Sequence, residues 1–461
     1  MSALPVSVGQ EALWFLHRMA PDSSAYNVAV AVRLRGRLDI KMLRRALTTV
    51  VDRHEILRSA FVEEAGRIRR RVGTAESVLL GVRDLGAVAE EELRRTVGTL
   101  TRAPFALEKE VFRADLLRRT DDSVLVLTAH HIATDAYSQG IVLRDLIDAY
   151  EAGGRNDPKP LPATWDDHVT MERDTLESPR GAEMEAYWRQ VLLGAPHVLE
   201  LPVDKPRPSR RSLEGATHEV RLPDALVARL REVSFGRGIT PFVFLMSVFH
   251  ATLFRYCGQD DILVGWPTTT RTGSRTRNLV GYYVNSLALR SRFEQHTTFV
   301  DIFDSLDEQV KKGLSHVGYP FALLPRAVGL SRDPGRPPLT QVAATMVTTS
   351  RLDPLADMLA AGEAAERELE LAGLRLSAFD VPQQEGQCDL SMEMLQSSTS
   401  FRLSFRYDIH LFERVTIERF ARHFLRLVEA ALSDPAVPVL SVSLVDAAER
   451  SRLLSLGAGA A

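Results

Sequence analysis

Four apolar residues, Val124 to Leu127, follow the polar pair Asp122–Ser123 and predict a short buried strand. Behind them Ile141, Val142, Leu143, Leu146, Ile147 and Tyr150 recur at helical spacing until Gly153–Gly154, which predicts an amphipathic helix. Upstream, Ala12, Leu13, Phe15 and Leu16 predict a short helix broken at Pro21, and Tyr26–Leu34 reads as a strand. A further helix is predicted over Lys41–Val51. Residues 62–118 are charged, with five residues from Arg67 to Arg71 including four arginines, and read as exposed strand and loop.

The same α/β rhythm returns later in the chain. Thr240–Pro241 opens an apolar helix over Phe242–Tyr256, with Thr at the N-cap and Pro in the first position. Asp261–Gly265 reads as a short strand followed by a polar loop, Trp266–Arg271, and Val280–Ser286 as another strand. Thr298 caps a helix reaching about Leu314. The alanine- and glutamate-rich stretch Ala356–Glu370 reads either as helix or as an insertion. Cys388–Met394 and Phe401–Tyr407 alternate as paired strands, and a helix over Val415–Ala431 and a strand over Val439–Leu444 close the pattern. Between the two halves, Leu201–Pro208 carries three prolines among charges, which no helix or central strand tolerates. The expected partition is 1–175, a linker over 176–210 placed at the surface, and 211–461.

At 461 residues the chain exceeds one compact core, which agrees with two halves. A net charge of −3 gives no reason to expect nucleic acid or an anionic membrane as partner. Two cysteines, Cys257 and Cys388, argue against a disulfide framework and fit a reducing cytoplasm. No apolar run approaches the length of a membrane span, and no secretory signal opens the chain.

The candidate chemistry lies where the Val124–Leu127 strand ends. His130 and His131 are adjacent, and Asp135 follows four residues after the second. Neighbouring side chains on a strand point to opposite faces, so one imidazole should meet a cavity while the other packs or braces. Adjacent histidines seldom chelate one ion, and no metal is expected. No serine or cysteine stands in a nucleophile elbow to be activated. What remains is a histidine acting on the substrate's own proton, as a general base or as a positioning acceptor. Asp135 either orients the histidine or is buried against an arginine to hold the loop.

The segment HHIATDAYS resembles the HHxxxDG signature of the condensation domains of nonribosomal peptide synthetases, within the wider chloramphenicol-acetyltransferase-like group. Other segments resemble that family's motifs in the family's order. These are Ser7–Leu16 with Ala25-Tyr26-Asn27, then Arg53–Phe61 (RHEILRSAF), Leu161–Val169 and Val280–Ser286, and later Tyr319-Pro320-Phe321 and Ser331–Leu339. The chain departs from the pattern at Ala136, where Gly is usual, at Tyr137, where Trp is common, and at Trp165, where Tyr is usual. If position 136 needs a positive φ, the alanine forces the loop to distort.

The resemblance implies two chloramphenicol-acetyltransferase-like α/β subdomains in a V-shaped pseudo-dimer with a tunnel at their interface. It implies amide-bond formation between a donor acyl or peptidyl thioester and an acceptor aminoacyl thioester. Both substrates would ride on the 4'-phosphopantetheine arms of carrier proteins, with no cofactor bound by the domain itself. His131 is then the catalytic histidine, and His130 and Asp135 brace it. The family also implies an Asp–Arg brace, for which Arg58 is the first candidate and Arg53 the second. Backbone N–H groups from Ala136 onward are candidates for stabilising the oxyanion. Tyr137, Ser138, Asn285 and Ser391 are candidate tunnel-lining residues, with Asn285 as readily a structural hydrogen-bonder. Glu55 reads as a cap or surface partner and His316 as surface. The tail Leu444–Arg450 resembles the segment that precedes an adenylation domain, which implies a piece of a longer synthetase. Two other classes stay open: a CoA- or carrier-dependent O- or N-acyltransferase, against which the missing DFGWG segment counts, and a degenerate domain that recruits a partner enzyme.

Overall fold

Hydrogen-bonded caps start several helices where the residue pattern predicts them. In the computed structural model, which describes residues 4–451 and 455 apart from 155–159, 272, 332, 350, 372, 384 and 446–448, the first half begins with α1 (Val8–Met19). Ser7 and Gln10 form a capping box at its start. Then come β1 (Asn27–Arg35), α2 (Ile40–Arg53), β2 (Ser59–Glu64), β3 (Arg67–Val72), β4 (Leu80–Gly86), α3 (Glu90–Thr101), β5 (Phe112–Arg119), β6 (Ser123–His130) and α4 (Ala136–Glu151). Helices α5 (Trp165–Glu177) and α6 (Pro179–Leu192) lead onward. The second half runs β7 (Gly215–Arg221), α7 (Asp224–Gly236), α8 (Pro241–Cys257), β8 (Asp261–Thr269), β9 (Val284–Arg292) and α9 (Phe299–Ser315). After it come α10 (Leu324–Ala327), β10 (Val342–Thr348), α11 (Pro354–Ala361), β11 (Glu368–Leu371), β12 (Leu374–Ala378), β13 (Leu390–Gln396), β14 (Phe401–Asp408) and α12 (Arg414–Ser433).

Two six-stranded mixed sheets form, in the orders β11-β12-β1-β6-β5-β4 and β7-β14-β13-β10-β8-β9, and β2 and β3 pair as a separate hairpin. In the first, β1 and β6 run antiparallel with Asn27 opposite His130, so the end of β6 is fixed against the start of β1. The second packs around α8, whose residues from Phe242 to Leu253 are all buried. That helix is capped by Thr240, starts on Pro241 and stops at Gly258 in the left-handed conformation, φ 66°. No single helix among the described residues is long and apolar enough to cross a membrane.

Several expectations are corrected. Residues 62–118 are not merely exposed strand and loop: β5 is a paired inner strand, and Arg70 is fully buried. Its guanidinium donates to Glu55 at 2.7 Å, Asp166 at 2.9 Å and Ser59 at 3.0 Å, which is how a charge inside the protein is tolerated. Ala356–Glu370 is neither one helix nor an insertion, because β11 and β12 add to β1 and complete the first sheet. The partition at 176–210 therefore does not separate the sheets. Leu199 and Leu201 are buried and Arg207 binds the buried Asp389 at 2.5 and 3.1 Å, so the proline segment is tied to the second sheet, while Pro202, Asp204 and Pro206 lie exposed at the surface. β8 extends through Thr269, and the next strand starts only at Val284. Val439–Ser441 forms a 3₁₀ turn in place of the closing strand. Part of the tail motif Leu444–Arg450 lies outside the described residues.

Candidate active site

β6 ends at His130, and the chain turns through five residues before α4 begins. His131 leaves the strand with its N–H bonded to the Tyr26 carbonyl at 2.7 Å, so the backbone of both histidines is held by neighbouring segments. Their side chains then part. His130 sits among His17, Tyr26 and Phe105 rings, with centroids 5.8–6.4 Å away, and its Nδ1 accepts the Ile132 N–H at 3.1 Å. Burial drives its pKa down to about 3, so it is neutral.

His131 turns to a cavity of about 2990 Å³ lined by both halves. Its Nδ1 lies 2.7 Å from the Thr134 carbonyl. A carbonyl only accepts, so Nδ1 carries the hydrogen and Nε2 carries the lone pair. Burial lowers the His131 pKa, opposed in part by that carbonyl and by Asp135. The ring stands edge-on to Tyr282, centroids 5.1 Å apart, and Tyr282 lines the same cavity. Gly9 lets Tyr282 sit there, since a Cβ at that position would be 2.7 Å from the tyrosine ring. An imidazole so arranged is a neutral acceptor, held in one tautomer at a cavity wall.

Asp135 is the N-cap of α4. Its Oδ1 accepts the Ser138 N–H at 2.7 Å and its Oδ2 the Tyr283 N–H at 3.1 Å. Its cation is Arg271, with Nη2 3.4 Å away, and both side chains are almost fully buried. The expected brace from Arg58 is not formed. Arg58 donates instead to the carbonyls of Val51 and Gly73, and Arg53 pairs with Asp145 at 3.0 Å. Both arginines lie next to α2 and its following turn, whereas Arg271 reaches Asp135 from the loop after β8. That loop is fixed by Arg271 itself, which donates to the Thr276 and Leu279 carbonyls at 2.7 Å and to the Ser138 hydroxyl at 2.6 Å.

Ser138 is wholly buried and does not line the cavity as expected. Its hydroxyl donates to the Gly281 carbonyl at 2.9 Å and accepts the Gly281 N–H at 3.2 Å, tying α4 to the second half. Tyr137 is half exposed at the cavity, and its ring lies 4.8 Å from the Arg271 guanidinium, which also stacks on Tyr283 at 4.0 Å. Asn285 touches the cavity but is used structurally: its amide donates to the Val317 and Tyr319 carbonyls, and its carbonyl accepts the Phe321 N–H. Ser391 lies on the cavity wall. His316 is half-buried and stacked on Tyr187 at 3.9 Å, not a free surface residue.

Ala136 is the first residue of α4 and is not among the residues with positive φ, so the alanine does not distort the loop. The cap takes the Ser138 N–H and the Asp135 carbonyl takes that of Gln139, which leaves the N–H groups of Ala136 and Tyr137 outside the helical ladder. Reasoning from sequence missed Arg271, Tyr282 and the use made of Gln10. The Gln10 amide donates to the Ile132 carbonyl at 2.8 Å while its carbonyl accepts the Trp165 N–H at 3.1 Å, so α1 and α5 jointly buttress the histidine loop. The S-x-x-Q spacing at Ser7–Gln10 was the signal that marked it.

A family model for the condensation domain matches residues 2–454. The chain belongs to the condensation domain family. This condensation domain is 33% identical over 463 residues to one of the linear gramicidin synthase polypeptides of Brevibacillus parabrevis, covering 98% of the chain and 9% of that protein. It is 31% identical to phosphinothricin tripeptide synthetase PhsC of Streptomyces viridochromogenes, covering 95% of the chain and 40% of that protein. The chain thus spans less than half the length of these relatives. Among solved structures, it resembles the four-domain nonribosomal peptide synthetase holo-AB3403 with a TM-score of 0.88 at 22% identity, covering 97% of the chain and 34% of that one. It resembles the first condensation domain of the calcium-dependent antibiotic synthetase with a TM-score of 0.77 at 21% identity, covering 97% and 100%. The fold is therefore the chloramphenicol-acetyltransferase-like one of condensation domains, a family of acyltransferases that form peptide bonds from carrier-bound substrates.

Proposed function

We propose that this condensation domain joins a donor acyl or peptidyl thioester to an acceptor aminoacyl thioester, each on the phosphopantetheine arm of its own carrier protein. The observation that carries the reading is His131: a neutral imidazole, tautomer set by Thr134, lining a cavity that both halves enclose. The acceptor's α-amine attacks the donor carbonyl carbon, the C–N bond forms, and the C–S bond breaks. His131 Nε2 accepts the amine's hydrogen bond, either orienting the lone pair for attack or taking the proton that ends on the departing thiolate. Holding both tethered partners in one cavity converts a bimolecular aminolysis into a pre-oriented one. The N–H groups of Ala136 and Tyr137, at the positive end of α4, are suited to stabilising the oxyanion. Asp135, Arg271 and Ser138 hold the loop, and His130 packs behind it.

On this reading the cavity is a tunnel open to two carriers, the halves form a V, and the chain works beside an adenylation domain of a longer cytoplasmic synthetase. The test is incubation with donor- and acceptor-loaded carrier proteins, with products read by mass spectrometry beside His131→Ala. Amide product that drops by roughly two orders of magnitude in the variant is expected. Product from free acyl-CoA but not from carriers would transfer the reading to a CoA-dependent acyltransferase. Carrier or partner binding without turnover would transfer it to a recruiting domain.

A further inference from the structure

One wall of the cavity carries charge where an apolar surface would be the cheaper choice. β13 and β14 pair antiparallel, with Ser391 opposite Arg406 and Glu393 opposite Ser404. Alternation sends Met392, Met394, Leu403 and Phe405 into the core of the second half and leaves Glu393, Ser404 and Arg406 on the cavity face. A polar face is ordinary on a sheet that meets bulk water. This one does not. The side chains of Arg406 and Glu393 are only 13% and 15% exposed, and Ser404 is 2% exposed. Arg406 Nη2 donates to Glu393 Oε2 at 2.6 Å, and the Ser404 hydroxyl donates to Glu219 of β7 at 3.4 Å.

A shielded ion pair adds little stability over apolar residues of the same volume, because desolvation offsets its attraction. At a cavity wall it has another effect. A hydrocarbon chain laid against it removes its remaining water and returns nothing, whereas a hydroxyl, amide or charged group replaces that water with hydrogen bonds. The register continues the polar surface to Thr217, opposite Arg406 on β7, so the wall spans three strands.

Building on the carrier-bound condensation proposed above, we infer that this wall selects the cargo's side chain: the chain prefers a tethered substrate bearing a polar, hydrogen-bonding side chain over an aliphatic acyl or aminoacyl one, with Glu393 and Arg406 as the specificity-determining pair. The substrate class assigned is an aminoacyl or peptidyl thioester with a hydroxyl, carboxamide or charged side chain at the residue that reaches the wall.

The experiment compares kcat/KM for carriers loaded with seryl, asparaginyl or glutaminyl cargo against alanyl, leucyl or octanoyl cargo. The donor is varied with the acceptor fixed, and then the reverse. The wild-type chain is expected to favour the polar series at least about tenfold on one of the two sides. In Glu393→Met/Arg406→Met that preference collapses or inverts, while the slowest aliphatic cargo speeds up. The reversed pair, Glu393→Arg/Arg406→Glu, keeps the preference. Turnover by the wild-type chain with no polar preference on either side overturns the inference, whatever the variants do. Equal preference in wild type and the double-methionine variant, with that variant folded by circular dichroism, overturns it as well. Absence of amide product from every loaded pair would instead overturn the carrier-bound reaction beneath it.

Discussion

Arg271 and Asp135, 136 residues apart in sequence, meet with Nη2 3.4 Å from Oδ1, and this contact joins the second half of the chain to the loop that carries His131. The two side chains are 7% and 5% exposed, so neither has water to fall back on. Removing the guanidinium leaves a buried carboxylate supported by two backbone N–H groups alone. Arg271→Ala is therefore expected to destabilise the chain by about 3 kcal/mol and to depress condensation, as read by urea melts and product formation. Arg58→Ala, which loses hydrogen bonds to nearby carbonyls and a 3.5 Å pair with the exposed Asp52, is expected to cost about 1 kcal/mol and to leave the rate of the folded enzyme unchanged. Equal effects of the two substitutions would contradict the brace.

A second prediction concerns pH and rate. Burial holds the His131 pKa below the ordinary 6.5, so the imidazole keeps its lone pair through pH values at which an exposed histidine has charged. The acceptor amine titrates too, and dividing wild-type rates by those of His131→Ala cancels that contribution. The ratio is expected to stay flat from about pH 8 down to about 6.5 and to fall only below it. A ratio already halved at about 6.5 or above would show an unshifted imidazole.

Acid should also weaken the fold, through histidines that take no part in chemistry. His130, His168 and His250 are held neutral with pKa values of about 3, 4 and 3. The unfolded chain binds protons at these side chains near 6.5, so between the two values it holds more protons than the folded one and stability falls as pH falls. Each is expected to withdraw about 2 kcal/mol by about pH 5. His250 lies wholly inside the second core with neither ring nitrogen hydrogen-bonded. His250→Leu should thus raise stability at about pH 7 by about 1 kcal/mol and flatten its decline in acid in denaturant titrations.

Glycine and alanine exchanges at the site should act in opposite ways from those a motif comparison suggests. Ala136→Gly restores the residue usual in the family, yet position 136 is already helical, so the rate should not rise and stability should slip by up to about 1 kcal/mol. Gly281→Ala looks conservative. Its Cβ would collide with the Trp165 ring, and Gly281 also holds both hydrogen bonds to Ser138. A loss of about 2–3 kcal/mol in thermal or urea unfolding, with slower condensation, is the expected outcome.

These particulars show what the sequence could carry. Val124–His131 and the helix behind it were legible because their apolar periodicity is local, and so were the helices opened by Ser7, Thr240 and Thr298, whose caps lie within three residues. The Asp135 brace was assigned to the wrong arginine because ion pairing leaves no periodic trace, and Arg58 stood in a recognisable motif whereas Arg271 did not. Arg70 was hidden in a run of arginines that alternation alone would have split, one inward and its neighbours outward. The place of β12, and of β11 which pairs only with it, was missed because the partner of β12 lies more than 330 residues upstream, from Arg35 to Arg375 across the β1–β12 register. No short-range pattern announces such a pairing.

That pairing bears on how the molecule can be divided. β12 covers the side of β1 that β6 does not, so a fragment ending near residue 200 would present a bare row of backbone donors and acceptors and would tend to self-associate. Chimeras that exchange one half for that of a relative inherit the same fault unless Glu368–Ala378 travels with the front portion. The workable crossover points are set by sheet membership, not by the proline-rich joint that the eye finds first.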